Sequence, residues 1–381
     1  MERFNTFFMA GFECADHINR SGERINLLKE TQHDIRTEED YRALNAIDIR
    51  TVREGICWSE VEKASGDFDF SNVLTRIRSA EKYGIQQIWD LIHFGYPDGL
   101  YPTHPLFAER FEKLCEAFAL FYKANATQLL MVVPINEISF LAWHSGDVRG
   151  TVPFATNSGW DMKYHLCKAA IAGIKKLKST DPNCTVILVE PLVRIHPTPE
   201  HYHVLDINEH QFQAMDIIAG RMCPELGGSE DYLEILGFNY YWDCQWEAGG
   251  KPLPWPEEQV KEKRTPLSEL LQTAYYRYQK PIFISETGHF GPQRALWIKE
   301  IATECLKAQD NGVDLQGICL YPATDRPDWD NLQNYCQCGL WDLDQHKDRV
   351  AHQPYINAVI QAQSKFQKSQ NVLKRLARLF E

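Results

Sequence analysis

The sequence predicts a single (β/α)8 barrel, and three observations carry that expectation. Short apolar, β-branched runs alternate with helical patterns along the chain, as in a parallel sheet with crossover helices. Eight strand-like runs can be counted, with no linker dividing them. Each run ends in polar or aromatic residues, and in such a barrel the strand C-termini are where chemistry sits. A chain of 381 residues, 44% of them hydrophobic, can bury one large core of this kind.

Taken in order, the first strand is expected over 6–12, leading into a polar loop with Glu13, Asp16, His17 and Arg24. A helix over 37–46 follows, with Thr37 as its cap and an acidic first turn. Residues 49–55 form the second strand, and 70–83 a helix closed by Gly84 at the C-cap. The third strand spans 87–92 and ends at His93; the helix over 106–123 places Phe107, Phe111, Leu114, Phe118 and Phe121 on one face. Residues 129–135 give a fourth strand ending in Asn136 and Glu137, 161–178 a helix, and 185–189 a fifth strand ending at Glu190. A helical piece near 209–220 precedes the sixth strand, 232–238, which ends in Asn239, Tyr240 and Tyr241. After a Pro-rich loop at 252–256 come a helix over 267–278, the seventh strand from Pro281 to Glu286, and a helix over 296–310. The eighth strand covers 315–321, and a helix over 355–367 closes the series.

Composition narrows the function. A net charge of −12 and a pI of about 5.6 leave no basic face for nucleic acid. The eleven cysteines follow no disulfide framework, and Cys336-Gln337-Cys338 has no histidine partner at metal-ligand spacing, so reduced, buried thiols in a cytoplasmic protein are expected, with no metal and no cofactor. No phosphate-binding glycine loop or nucleotide fingerprint is present. Neither a secretory leader nor an apolar run long enough to span a membrane is evident. Ten Trp and sixteen Tyr fill a core or supply flat platforms for sugars.

Two strands end alike: Pro281-Ile282-Phe283-Ile284-Ser285-Glu286-Thr287-Gly288 and Met131-Val132-Val133-Pro134-Ile135-Asn136-Glu137. A carboxylate at the exit of a buried strand is costly to desolvate and needs partners. Two of them meet the requirement of retaining glycoside hydrolysis, one as nucleophile and one as proton donor, roughly 5–5.5 Å apart. Strands four and seven lie nearly opposite in an eight-stranded barrel, so their end groups face across a sugar. The nucleophile must stay ionised, which Arg53 and a tyrosine hydroxyl favour. The acid must hold its proton near neutral pH, through burial or the other carboxylate. Asn136 is placed to bond a sugar hydroxyl.

These stretches resemble the family-1 β-glycosidases of the clan-A retaining glycoside hydrolases. Pro134-Ile135-Asn136-Glu137 resembles their T-x-N-E-P acid/base motif, and Ile284-Ser285-Glu286-Thr287-Gly288 their I/V-T-E-N-G nucleophile motif. Val52-Arg53-Glu54-Gly55-Ile56-Cys57-Trp58-Ser59 is similar to Y-R-F-S-I-S-W-S, and His93-Phe94-Gly95-Tyr96-Pro97 to H-W-D-L-P. Gly237-Phe238-Asn239-Tyr240-Tyr241 resembles G-x-N-Y-Y. Tyr321 to Trp329 keeps the spacing of W-S-L-L-D-N-F-E-W, and Cys338 to Asp344 that of F-G-L-x-x-V-D. The resemblance implies catalytic roles for Glu137, Glu286, Arg53 and Tyr241. It implies sugar contacts for His17, His93, Asn136, Asn239, Tyr321, Asp328 and Trp329, with His17 or Glu13 in place of the family's first-strand Gln. The chain departs from the pattern at Ile138 (Pro in the family), Thr287 (Asn), Tyr321 (the platform Trp) and Asp328 (Glu), and it is shorter. The glycone therefore stays open.

The expected activity is hydrolysis of a terminal β-linked sugar. Two other readings are a transglycosidase using the same covalent intermediate and a non-catalytic sugar-binding barrel. The catalytic domain is expected over 1–362, with a basic amphipathic helix over 363–381 carrying Val372, Leu373, Leu376, Leu379 and Phe380 against Lys374, Arg375 and Arg378. That helix either touches an anionic membrane or a partner, or folds back on the barrel.

Overall fold

The structure, a computed structural model, describes residues 3–64, 66–201 and 204–377, the side chains at 205, 259 and 370–377 excepted. Eight parallel strands close into one barrel: β1 Phe8–Gly11, β2 Thr51–Gly55, β3 Gln86–Ile92, β4 Met131–Ile135, β5 Thr185–Pro191, β6 Ile235–Asn239, β7 Ile282–Thr287 and β8 Leu315–Leu320. Closure comes from β1 pairing with both β2 and β8, with Phe8 opposite Ile318 and Ala10 opposite Val52. Met9, Ile88, Val133, Ile187, Val189, Ile235, Phe283 and Cys319 fill the barrel's inside; the opposite faces of the strands bury against the helices. Every strand is buried on both faces, which is why the runs read as apolar rather than alternating.

The helix over Leu267–Tyr278 lies at its expected limits, and Ser71–Tyr83 ends at Gly84, whose φ of +64° suits a residue without Cβ. The helix expected to begin at Thr37 instead spans His33–Ala46. His33 is drawn into the core because its ring joins Asp40 (2.7 Å) to Glu54 (2.9 Å). Arg76 and Tyr41 complete the partners of Glu54, and Arg349 reaches Asp40 at 2.7 Å. A helix over Ile138–Gly146, which the sequence pattern did not reveal, follows Glu137 directly. Two short sheets lie outside the barrel, a pair made by Trp341–Leu343 and Arg349–Ala351, and a three-stranded one near residues 194–252.

At the N-terminal end, Phe4 packs on Phe283 with ring centroids 5.1 Å apart. The last helix runs without a break over Gln353–Ala377, so the expected division at residue 362 falls inside it. Its Phe366 stacks on Phe7 at 4.3 Å and meets Phe8 edge-on at 5.5 Å, which folds this part of the helix back on the barrel. The apolar and basic faces expected beyond residue 370 lie outside the described side chains. Among the described residues no helix is long and apolar enough to cross a membrane.

Candidate active site

The polar strand ends converge at the C-terminal mouth of the barrel. Glu286 reaches the inner face through a one-residue irregularity in β7. Ile284 pairs with Phe238 and Glu286 with Asn239, so Ser285 is an extra residue on its strand. Both Ser285 and Glu286 therefore face inward, and Ser285 Oγ donates to Asn239 Oδ1 at 2.6 Å. A Cβ on Gly288, the glycine after the carboxylate, would run into the Tyr321 carbonyl, so only glycine allows the two strand ends to approach this closely.

Glu286 carries one donor on each oxygen. Arg53 Nη1 lies 2.8 Å from Oε1, and the Tyr241 hydroxyl donates to Oε2 at 2.8 Å. Arg53 is fully buried and also donates to the Ser285 carbonyl (2.8 Å), Asp90 Oδ2 (2.5 Å) and Asn136 Oδ1 (3.0 Å). Burial and the Glu286 charge push the Tyr241 hydroxyl well above its ordinary value, so it stays a donor.

Glu137 leaves β4 with φ of +46°, a left-handed conformation that carries strain for a side chain of this size. Its backbone is held by N–H donation to the Val189 carbonyl at 2.9 Å. The following helix is secured by Glu190 at the end of β5, which accepts from the Ser139 N–H at 3.1 Å. Burial, then the neighbouring Glu286 charge, raise the Glu137 carboxyl well above its ordinary value of 4.5. The Asn239 amide lies toward Glu137 without closing a hydrogen bond and opposes that rise. One carboxylate held by a cation and a hydroxyl, beside one carboxyl that keeps its proton, is the division of labour that acid-assisted displacement needs.

His93 joins this centre, but both its ring nitrogens are engaged by the protein: Nδ1 with Asp90 at 2.9 Å, Nε2 with the Tyr321 hydroxyl at 3.2 Å. The two rings lie parallel, 9° apart. Tyr321 also donates to the Phe12 carbonyl at 3.2 Å, and its ring covers Gly11 so closely that a Cβ there would collide. Glu13 stands beside His93 at 3.6 Å and pairs with Arg326 at 3.1 Å. Above them, His17 packs edge-on against Trp329 at 4.8 Å, and Phe94, Phe140 and His144 complete an aromatic cluster. Burial holds the two histidines of that cluster neutral, at about 3 for His17 and about 4 for His144. Buried atoms without a protein partner here include Asn136 Nδ2, Trp329 Nε1 and His17 Nδ1, together with Asn239 Nδ2, His144 Nδ1, Arg53 Nε and Asp90 Oδ1.

The structure thus brings together ten of the eleven residues singled out from the sequence: Arg53, Asn136, Glu137, Asn239, Tyr241, Glu286, His93, Tyr321, His17 and Trp329. Asp328 is the exception in its contacts, since its Oδ1 accepts from the Asp330 N–H at 2.9 Å within its own loop. Sequence reasoning missed Asp90, Arg326, Phe140 and His144. A carboxylate inside the run Ile88-Trp89-Asp90-Leu91-Ile92 was a readable signal for Asp90, because a charge there needs buried partners. Phe140 and His144 were hidden with their helix.

Among the described residues, Cys14, Asp90 and His93 have the mutual spacing of metal ligands. Asp90 already pairs with the Arg53 guanidinium, and burial raises the Cys14 thiol well above its ordinary value, which keeps its proton on. A groove of about 460 Å³ between Arg3, Arg50 and Gln363 lies at the opposite end of the barrel, far from every strand C-terminus.

No family model and no curated protein matches the chain. Solved structures do. A family-1 β-glucosidase from Thermotoga maritima superposes with a TM-score of 0.74 at 15% identity, over 94% of this chain and 98% of that one. The β-glycosidase of the hyperthermophile Thermosphaera aggregans gives 0.76 at 14% identity, over 94% and 96%. A hyperthermophilic β-glucosidase mutant gives 0.75 at 16% identity, over 93% and 99%. At such identities the likeness is one of fold: this chain has the (β/α)8 barrel of the family-1 β-glucosidases, across nearly its whole length.

Proposed function

We propose that the chain is a divergent member of the family-1 β-glycosidases and a retaining β-glycosidase, with Glu286 as nucleophile and Glu137 as acid/base. The observation that carries this reading is the pairing of a carboxylate bonded on both oxygens, by Arg53 and Tyr241 at 2.8 Å each, with a carboxyl that desolvation and that same charge raise well above its ordinary value. The fold shared with the β-glucosidases and the seven spaced motifs support it.

In the first displacement Glu286 forms a bond to the anomeric carbon while the bond to the leaving oxygen breaks and Glu137 hands that oxygen its proton. Once Glu286 is esterified, its charge is gone and Glu137 loses the repulsion that kept its proton on. Glu137 then takes a proton from water as the water oxygen displaces Glu286. The buried Asn136 Nδ2, whose Oδ1 is fixed by Arg53, is a donor for a hydroxyl next to the anomeric centre. Trp329 Nε1 and the neutral His17 ring offer further contacts to a polyhydroxylated ring with apolar faces.

The test is a panel of nitrophenyl β-glycosides followed by trapping with the matching 2-deoxy-2-fluoro glycoside. Peptide mapping is expected to place the label on Glu286, and Glu286→Ala is expected to abolish turnover. A label on another residue, or an active Glu286→Ala enzyme, sinks the reading.

A further inference from the structure

Asp90 belongs to none of the motifs that point to the active site, yet it lies at the site's centre and is 1% exposed. It sits on the inner face of β3, two residues beyond the barrel-filling Ile88 and opposite Val133 in register. The layer around it is thus apolar where the strands' own pattern rules. A carboxylate in that layer contributes less to stability than an apolar side chain of similar size unless it does something else.

Its contacts show what else. Oδ2 is 2.5 Å from Arg53 Nη2 and 2.9 Å from His93 Nδ1. A guanidinium is a rigid plane, so gripping one edge fixes the direction of the other. The gripped edge is Nη2, shared by Asp90 and Asn136; the free edge, Nη1, carries Glu286 and the Ser285 carbonyl. On the other side the same oxygen sets the His93 ring, whose Nε2 faces the Tyr321 hydroxyl. Burial alone would strip His93 of its second proton, but the hydrogen bond it donates to Asp90 and the nearby carboxylates outweigh it and raise the ring above its ordinary value. Glu13, just beyond β1, and Glu286 on β7 are the other charged groups that face His93, and Tyr321, just beyond β8, stacks on its ring.

We propose that Asp90 is a positioning residue of this centre: through Oδ2 it holds Arg53 and His93 in the arrangement that aims the Glu286 carboxylate. The inference rests on the glycosidase reading and adds to it a residue that the family motifs do not contain. Asp90 touches no substrate; it acts through Arg53.

The experiment compares wild type with Asp90→Asn and Asp90→Glu, using 2,4-dinitrophenyl 2-deoxy-2-fluoro-β-glucoside and the corresponding galactoside as probes, together with crystal structures of the variants. Asp90→Asn is expected to form the covalent adduct roughly 100-fold more slowly at unchanged probe affinity, the scale of a misplaced reacting group. Arg53 is expected to have turned away from Glu286 in its crystals. Asp90→Glu keeps the charge but moves it by one methylene, and a loss of about 10-fold is expected. If Asp90→Asn does not fold, Asp90→Glu carries both readouts. Adduct formation at the wild-type rate, or a weaker affinity with the rate constant unchanged, overturns the proposal. If wild type is labelled by neither probe and turns over none of the nitrophenyl β-glycosides of the panel, the glycosidase reading fails, and the crystals then decide for Asp90: a displaced Arg53 upholds its positioning role, an unmoved one overturns it.

Discussion

The Tyr241 hydroxyl, just beyond the end of β6, donates to Glu286 Oε2 at 2.8 Å, while Arg53 holds the other oxygen from the far side. Removing the hydroxyl alone leaves the carboxylate paired on one oxygen and free to rotate. Tyr241→Phe is therefore expected to lower kcat by roughly 10²-fold with folding intact, as for the loss of one preorganised donor. Steady-state kinetics on an aryl β-glycoside, beside a thermal melt, check this; an unchanged kcat removes Tyr241 from the catalytic group.

Glu137 needs its proton to do acid work, and its folded carboxyl is raised above 4.5 by burial and by Glu286. Activity should thus fall as pH rises through that shifted value, giving a basic limb above the ordinary carboxylate range. Glu137→Gln cannot give up a proton, so it should lose that limb and drop by roughly 10²–10⁴-fold on a poor leaving group, less on dinitrophenolate. A basic limb that survives in Glu137→Gln assigns the acid elsewhere.

Thr287 stands where the family has Asn, and its hydroxyl accepts from Trp297 Nε1 at 2.9 Å in a fully buried place. Thr287→Val keeps the shape and leaves the indole N–H without a partner. A loss of about 1–3 kcal/mol in urea unfolding is expected. Full stability in the variant contradicts this use of the position.

Behind β2, Glu54 is held at about 2, against an ordinary 4.5: burial alone would raise it, but His33 and Arg76 outweigh that. A carboxylate depressed on folding contributes stability above its unfolded value and loses it as pH falls through the folded one. The window is therefore from about 4.5 down to about 2. Glu54→Gln is expected to cost about 3–5 kcal/mol at neutral pH, because it strands buried Arg76 and His33, and to flatten the acid loss in that window. Denaturant melts at stepped pH read both.

Phe366 joins the last helix to the barrel through Phe7 and Phe8. Phe366→Ala should cost about 3–5 kcal/mol in unfolding free energy without changing kcat, since it acts at the end opposite the active site. A change in kcat at unchanged stability would refute that separation.

Much of this was legible in the chain, residue by residue. The apolar period placed β7 and β4 and left Glu286 and Glu137 at their ends, and the motif spacing singled out Arg53, Tyr241 and His93. What escaped had a local cause. The helix over Ile138–Gly146 is short and mostly buried, so it shows no amphipathic stripe, and Phe140 and His144 were lost with it. The start at His33 rather than Thr37 depends on Glu54, which no local pattern reports. Asp90 was visible as a charge in an apolar strand, but its partner could not be read from its neighbours.

By itself, then, the sequence determined the barrel and the residue types at its strand ends, because strand and helix periods act over a few residues. Only the tertiary structure decided who meets whom. Arg53 and Glu286 are 233 positions apart and Tyr321 and His93 are 228 apart. Their contacts exist because barrel closure and the extra residue in β7 set register and facing together. That same long-range packing withdraws water from Glu137 and so decides which carboxyl keeps its proton.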